Sequence, residues 1–105
     1  MNKNEKNILK AVKDKKAINV KFYDVREINP LCDAIIVCSA LNERNLVGIK
    51  DSIEDVALLN KMEINHIEGR NNSKWIVVDL NDIVVHIMTE DERKRVDLDS
   101  VIALK

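Results

Sequence analysis

Three aspartates, Asp33, Asp79 and Asp82, stand at the edges of apolar runs, and carboxylates that converge at strand ends could hold a hard divalent ion. A second pairing would set Cys38 against His66 or His86, since a thiol needs a neighbouring imidazole to become a thiolate near neutral pH. Both ideas face a plainer alternative. An Asp beside Asn81 is first of all a turn-former, and Cys38 sits in the apolar run AIIVCSA, where burial raises a thiol pKa. His86 alternates with Val85 and Ile87, as a hydrogen-bonded strand residue would. The sole Trp, Trp75, lies next to a polar stretch; it is either a rigid amphipathic anchor of the kind that dominates interfaces or the first core residue of a strand.

The motifs of common enzymes are missing. A phosphate-cradling loop needs several glycines to bring backbone amides close, and Gly48 and Gly69 are the only two. No GxSxG surrounds Ser39, Ser52, Ser73 or Ser100, and there is no HExxH. A binding module therefore fits these residues better than an enzyme.

The elements that must position these residues follow from length and periodicity. A chain of 105 residues is expected to form one domain with a single core, and two Gly with one Pro leave little room for linkers. Lys plus Arg number 17 against 18 Asp plus Glu, so the net charge of -1 offers no field to draw the protein onto nucleic acid, and no direct sequence-specific nucleic-acid partner is expected. Lysines early in the chain and acids late in it read as solvated faces. No apolar run is long enough for a membrane span and the first residues lack a signal-peptide core, so a cytoplasmic protein is expected. Cys32 and Cys38 lack CxxC spacing and read as reduced, half-buried or core thiols.

Ile8, Leu9 and Val12 recur at helical spacing after Asn2 and Asn4, predicting a helix over residues 3–16. INVKFYDV and DAIIVCSA read as strands, the second buried on both faces, with Pro30 in the connection between them. Asn42 caps a long helix over 43–61, with an apolar stripe of Leu46, Ile49, Ile53, Val56 and Leu59 or Asn60. INHIEG is a short strand and RNNS a polar turn; 74–80 and 83–88 form an antiparallel hairpin. Thr89-Glu90-Asp91-Glu92 matches a capping box, and Leu98, Val101, Ile102 and Lys105 suggest a final helical turn on the sheet. The order αββαβββα predicts an α/β or α+β mixed sheet flanked by helices.

Read together, KAINVKFYDV, CDAIIVCSALNERNLVGI, Glu68-Gly69 and WIVVDLNDIVVHIMTEDER resemble the Iojap-like ribosomal silencing factors, in order and over residues 8–102. The most specific part is W-I-V-V-D-L-x-D-x-V-V-H. The resemblance implies a non-enzymatic translation repressor with no cofactor and a fold similar to that of nucleotidyltransferases. It further implies binding to the fourteenth protein of the large ribosomal subunit and a block on joining with the small subunit when nutrients are short. Carried over by position, it makes Trp75 an interface residue, Asp79 and Asp82 the two hairpin acids, and His86 the His of the VVH run, with Leu80 and Asn81 in the loop facing the partner. Asp33, Arg44, Glu68 and Arg93 match further recurrent polar positions. Asn81 replaces the family's usual Gly, and the carboxyl-terminal stretch RVDLDSVIALK lacks the family's Tyr and Leu-Trp. Two other readings stand beside this one. One is a nucleotidyltransferase-like enzyme using Asp33, Asp79 and Asp82; the other is a homodimer or scaffold that pairs through Trp75.

Overall fold

The computed structural model describes residues 1–69 and 73–103. Positions 70–72, where most of the expected polar turn falls, and Lys105 of the expected final turn lie outside the described residues.

Helix α1 (Lys3–Asp14) starts at Asn2, whose Oδ1 accepts the Glu5 amide at 2.8 Å while Glu5 Oε1 accepts the Asn2 amide at 2.9 Å. This reciprocal capping box uses a Glu that is fully buried, and its second oxygen accepts from Arg26 Nη2 at 2.8 Å. Strands β1 (Ile18–Asp24) and β2 (Ala34–Ala40) pair antiparallel, with a register shift between Ile18 and Lys21. Helix α2 (Glu43–Leu59) follows, its Asn42 cap accepting the Asn45 amide at 2.7 Å. Then come β3 (His66–Glu68), β4 (Trp75–Asp79) and β5 (Ile83–Thr89). The sheet order is β1-β2-β5-β4-β3, with β2 and β5 parallel at its centre and all other pairs antiparallel. It is the mixed sheet flanked by helices that the residue pattern predicts.

The period-2 alternation of the strands divides the sheet into two faces. One carries Ile36, Cys38, Ile76, Val78, Ile83, Val85 and Ile87 into the core against Ile8 and Val12 of α1 and Leu46, Ile49 and Ile53 of α2. The α2 stripe ends differently from the expectation. Its last buried member is Ala57, one turn beyond Ile53, whereas Leu58 and Leu59 are 80% and 82% exposed and Asn60 is the C-cap.

The carboxyl-terminal region lies on the other face and holds two helices, α3 (Glu90–Val96) after the Thr89 cap and α4 (Leu98–Ala103) at the expected final turn, which the expected order counts as one. Asp97, in the left-handed region at φ 52°, breaks them apart. The order is thus αββαβββαα. Only half of the expected capping box is made there. Thr89 Oγ1 accepts the Glu92 amide at 3.4 Å, but the Glu92 carboxylate is occupied by Arg95, with both bonds at 2.9 Å. Arg93 Nη1 donates to Ser39 Oγ at 3.0 Å, fastening α3 over the middle of the second face, where Val37 and Met88 are fully buried.

Candidate functional site

The α3–α4 pair covers only part of that second face. Trp75, Val77 and Asp79 project from β4 onto it, beside Val84 and His86 of β5 and Ile35 of β2, and all six are partly exposed. Trp75 therefore is neither a core residue nor a free surface residue. Its indole Nε1–H donates to His86 Nδ1 at 3.1 Å, with ring centroids 5.8 Å apart and planes tilted by 42°. His86 lies opposite Val77, so the Trp–His contact is a diagonal cross-strand pair. Burial pushes the His86 imidazole below its ordinary pKa, with the Asp99 carboxylate opposing more weakly.

At the far end of β4 the chain turns back through Leu80, Asn81 and Asp82. Asp79 Oδ1 accepts the Asn81 amide at 2.8 Å, the Leu80 amide donates to Ile83 O at 2.8 Å, and Asn81 takes φ 70°. This is the left-handed conformation that Asn tolerates better than most side chains and Gly best of all. The Asp82 carbonyl accepts the amides of Asp33 and Ala34 at 2.8 and 3.1 Å, so the turn is also tied to the start of β2. The side chains of Asn81 and Asp82 are exposed. Leu80 is not: at 5% exposure it belongs to the core, so its side chain cannot serve as a contact on this surface, and only its place in the turn survives from the expectation.

Asp79 has structural work of its own. Its Oδ2 accepts from Asn65 Nδ2 at 3.3 Å and lies 3.5 Å from His66 Nδ1, while His66 Nε2 lies 3.2 Å from Glu68. Asp33, Asp79 and Asp82 all act on the Cys32 thiol, whose pKa is raised by burial first and by these carboxylates next. They do not make a metal site: among the described residues, no group of three or more His, Cys, Asp or Glu is arranged to hold an ion. The thiol–imidazole pairing fails on topology. Cys38 points into the core, with its pKa pushed up to about 12 by burial, whereas its neighbour on β5 that shares a strand with His86 is Ile87. His66 lies on the edge strand β3, three strands away from β2.

Open α/β sheets bind ligands outside the carboxyl ends of parallel strands. The corresponding cleft here, about 540 Å³ at the ends of β2 and β5, is lined among the described residues by Glu43, Glu90 and Asp91, with Lys74 as the one cation among them. Three carboxylates against one ammonium disfavour a nucleotide's phosphates.

Residue reading missed the polar tie beneath α4. Tyr23 Oη donates to Asp99 Oδ2 at 2.8 Å, and Arg93 holds both oxygens of the same carboxylate. The alternation of β1 places Tyr23 opposite Val20 and Phe22, which was legible, but nothing local joins it to an Asp so far along the chain.

A family profile described as ribosomal silencing factor during starvation matches residues 1–103. The chain belongs to the ribosomal silencing factor family. It is 31% identical over 102 residues to the ribosomal silencing factor of Bacillus subtilis, covering 93% of this chain and 86% of that one. With the ribosomal silencing factor of Halalkalibacterium halodurans it shares 32% over 91 residues, covering 87% and 78%. Among solved structures, a protein from Bacillus halodurans superposes with a TM-score of 0.84 at 30% identity, covering 92% and 90% of the two chains. A Chromobacterium violaceum protein superposes at 0.91 with 23% identity, covering 95% and 83%, which speaks for the fold. Asn81 at φ 70° and a Gly at the same place would both accept this left-handed turn, so an exchange between the two is conservative here.

Proposed function

We propose that this chain binds the large ribosomal subunit through its fourteenth protein, on the face that meets the small subunit, and so keeps the subunits apart, above all when nutrients are short. It acts by occupying space, without catalysis or a cofactor. The observation that carries this reading is the partly exposed Trp75 on an open sheet face, in a chain of this family. An aromatic held among partly exposed Val77, Val84 and Ile35 is the composition of a central interface anchor. The exposed carboxylates of Asp82, Glu90 and Asp91 complement the basic character general to ribosomal proteins and would speed encounter. Occlusion needs only size. The shortest extent of the molecule is 21 Å, whereas surfaces in contact stand roughly 4 Å apart. Affinity, through the dissociation rate, then sets how long a subunit stays blocked.

Co-sedimentation with separated large and small subunits across a salt series tests this. Binding to large subunits only is expected, and Trp75→Ala should weaken it by about 2 kcal/mol, roughly thirtyfold. Wild-type protein that ignores the large subunit would overturn the function. Full binding and full inhibition of joining by Trp75→Ala would overturn the site. In the free protein, the same face is the one through which a homodimer would close.

A further inference from the structure

His86 occupies the middle of the candidate surface, yet it is not built like a contact residue. An indole N–H donates and cannot accept, so the 3.1 Å bond from Trp75 Nε1 requires a lone pair on His86 Nδ1 and places the imidazole proton on Nε2. Val77, Val84 and Ile35 on this face have no side-chain acceptor to offer the indole, and the Asp79 carboxylate, at the far end of β4, already accepts from Asn65 and the Asn81 amide. Without His86 the indole N–H would turn to water, and the ring would be free to leave its orientation. Burial favours the neutral imidazole that this bond requires, against the weaker pull of the Asp99 carboxylate on α4.

We propose that His86 is a positioning residue: its Nδ1 lone pair fixes the indole of Trp75 in the orientation the ribosomal partner meets, and the tautomer this requires puts the imidazole proton on Nε2. The inference rests on Trp75 being the anchor of the proposed interface. A side chain ordered before encounter loses less freedom on binding, so the gain appears as affinity without a new direct contact. His86 Nε2 has no hydrogen-bond partner among the described residues, and no buried polar side-chain atom there is left unsatisfied, so Nε2 is open to solvent.

The single Trp makes this measurable. At neutral pH, 15N NMR of the full chain should show His86 Nδ1 unprotonated and hydrogen-bonded and Nε2 protonated; the opposite tautomer would sink the inference. For large-subunit affinity, His86→Leu should cost about three- to tenfold. His86→Asn, whose Oδ1 stands near the place of Nδ1, should recover part of that loss. Trp75→Phe keeps an aromatic ring without the N–H; combined with His86→Leu it should cost little more than either change alone. Losses that simply add, or an Asn variant no better than Leu, would overturn the positioning role and leave Trp75 as the anchor. Normal binding by Trp75→Ala would instead remove the interface reading itself, so the two failures are distinguishable.

Discussion

Arg93 reaches across the break between α3 and α4 to hold Asp99 with two parallel bonds, Nε to Oδ1 at 3.0 Å and Nη2 to Oδ2 at 2.9 Å. Tyr23 of β1 donates to the same carboxylate, and Arg93 also reaches Ser39 of β2 and the Asn19 carbonyl. One guanidinium thus ties both short helices to two strands. A six-residue helix has little stability of its own, so this cluster decides where α4 lies and how much of the Trp75 face stays open.

Asp99→Ala should therefore lower the unfolding free energy by about 2 kcal/mol in urea titration, since it leaves the Arg93 side chain, 12% exposed, without its main partner. The pH signs follow from the same contacts. The Arg93 bonds hold the Asp99 carboxyl below its usual range, so its contribution is complete above the unfolded pKa and fades as pH falls through the lower folded value. Tyr23 behaves the other way. Burial, and then the Asp99 hydrogen bond, raise its pKa to about 12, so its contribution is complete below about 10 and is lost as pH rises through the folded value. Phenolate absorbance of the single Tyr should titrate near 12 in the wild type and lower in Asp99→Ala.

Gly69→Ala should cost on the order of 2 kcal/mol and disturb Trp75. Gly69 has φ 90°, and a Cβ there would run into the Trp75 carbonyl oxygen, which is backbone and cannot swing aside. Thermal melts would register the loss, and a shifted indole signal would show that it reaches the candidate site; a variant as stable as wild type would contradict the described packing.

Asn81→Gly should be nearly neutral, whereas Asn81→Ala should destabilise by about 1 kcal/mol, because φ 70° is strained for a residue with a Cβ and no side chain to bond locally. Chemical denaturation of the pair separates backbone strain from any contact made by the amide. If Ala is tolerated as well as Gly, the turn is not held in the left-handed region.

Cys38 should resist thiol reagents at pH 8 until the protein unfolds. It is fully buried in the core, and its thiolate is disfavoured to a pKa of about 12. Mass-resolved alkylation in native and denaturing buffer checks this; rapid native labelling at Cys38 would mean the core opens there.

Periodicity carried most of the fold because each strand and helix buries one face. The apolar run holding Ile36 and Cys38 reads as a strand buried on both faces, and in the structure only Ile35 of β2 is partly exposed. Periodicity failed where the choice depended on how far a neighbour extends. Leu59 continues the α2 pattern in sequence, but the sheet beneath no longer covers it, and the smaller Ala57 takes the last buried place. Leu80 failed in the opposite sense, a turn residue that folds inward because Asn81 takes the left-handed turn in its stead. The surface role of Trp75 stayed ambiguous because half-exposure is set by the extent of α3 and α4 over the sheet, which no local pattern encodes. His86 is explained only by a bond between strands, from an indole on β4.

The central parallel pair has a consequence for how the molecule comes into being. Every residue of β2 lies beside one in β5 roughly fifty positions further along the chain, with α2, β3 and β4 between them. Until β5 is in place, β2 has only the edge strand β1 for a neighbour, and the floor of the hydrophobic core is missing. The sheet must close a long loop before most of its contacts reward it, so assembly should be slow for so small a protein and concerted rather than stepwise. The strand that carries His86 is the one that completes the core, so the proposed interface and the folded state arise in the same event.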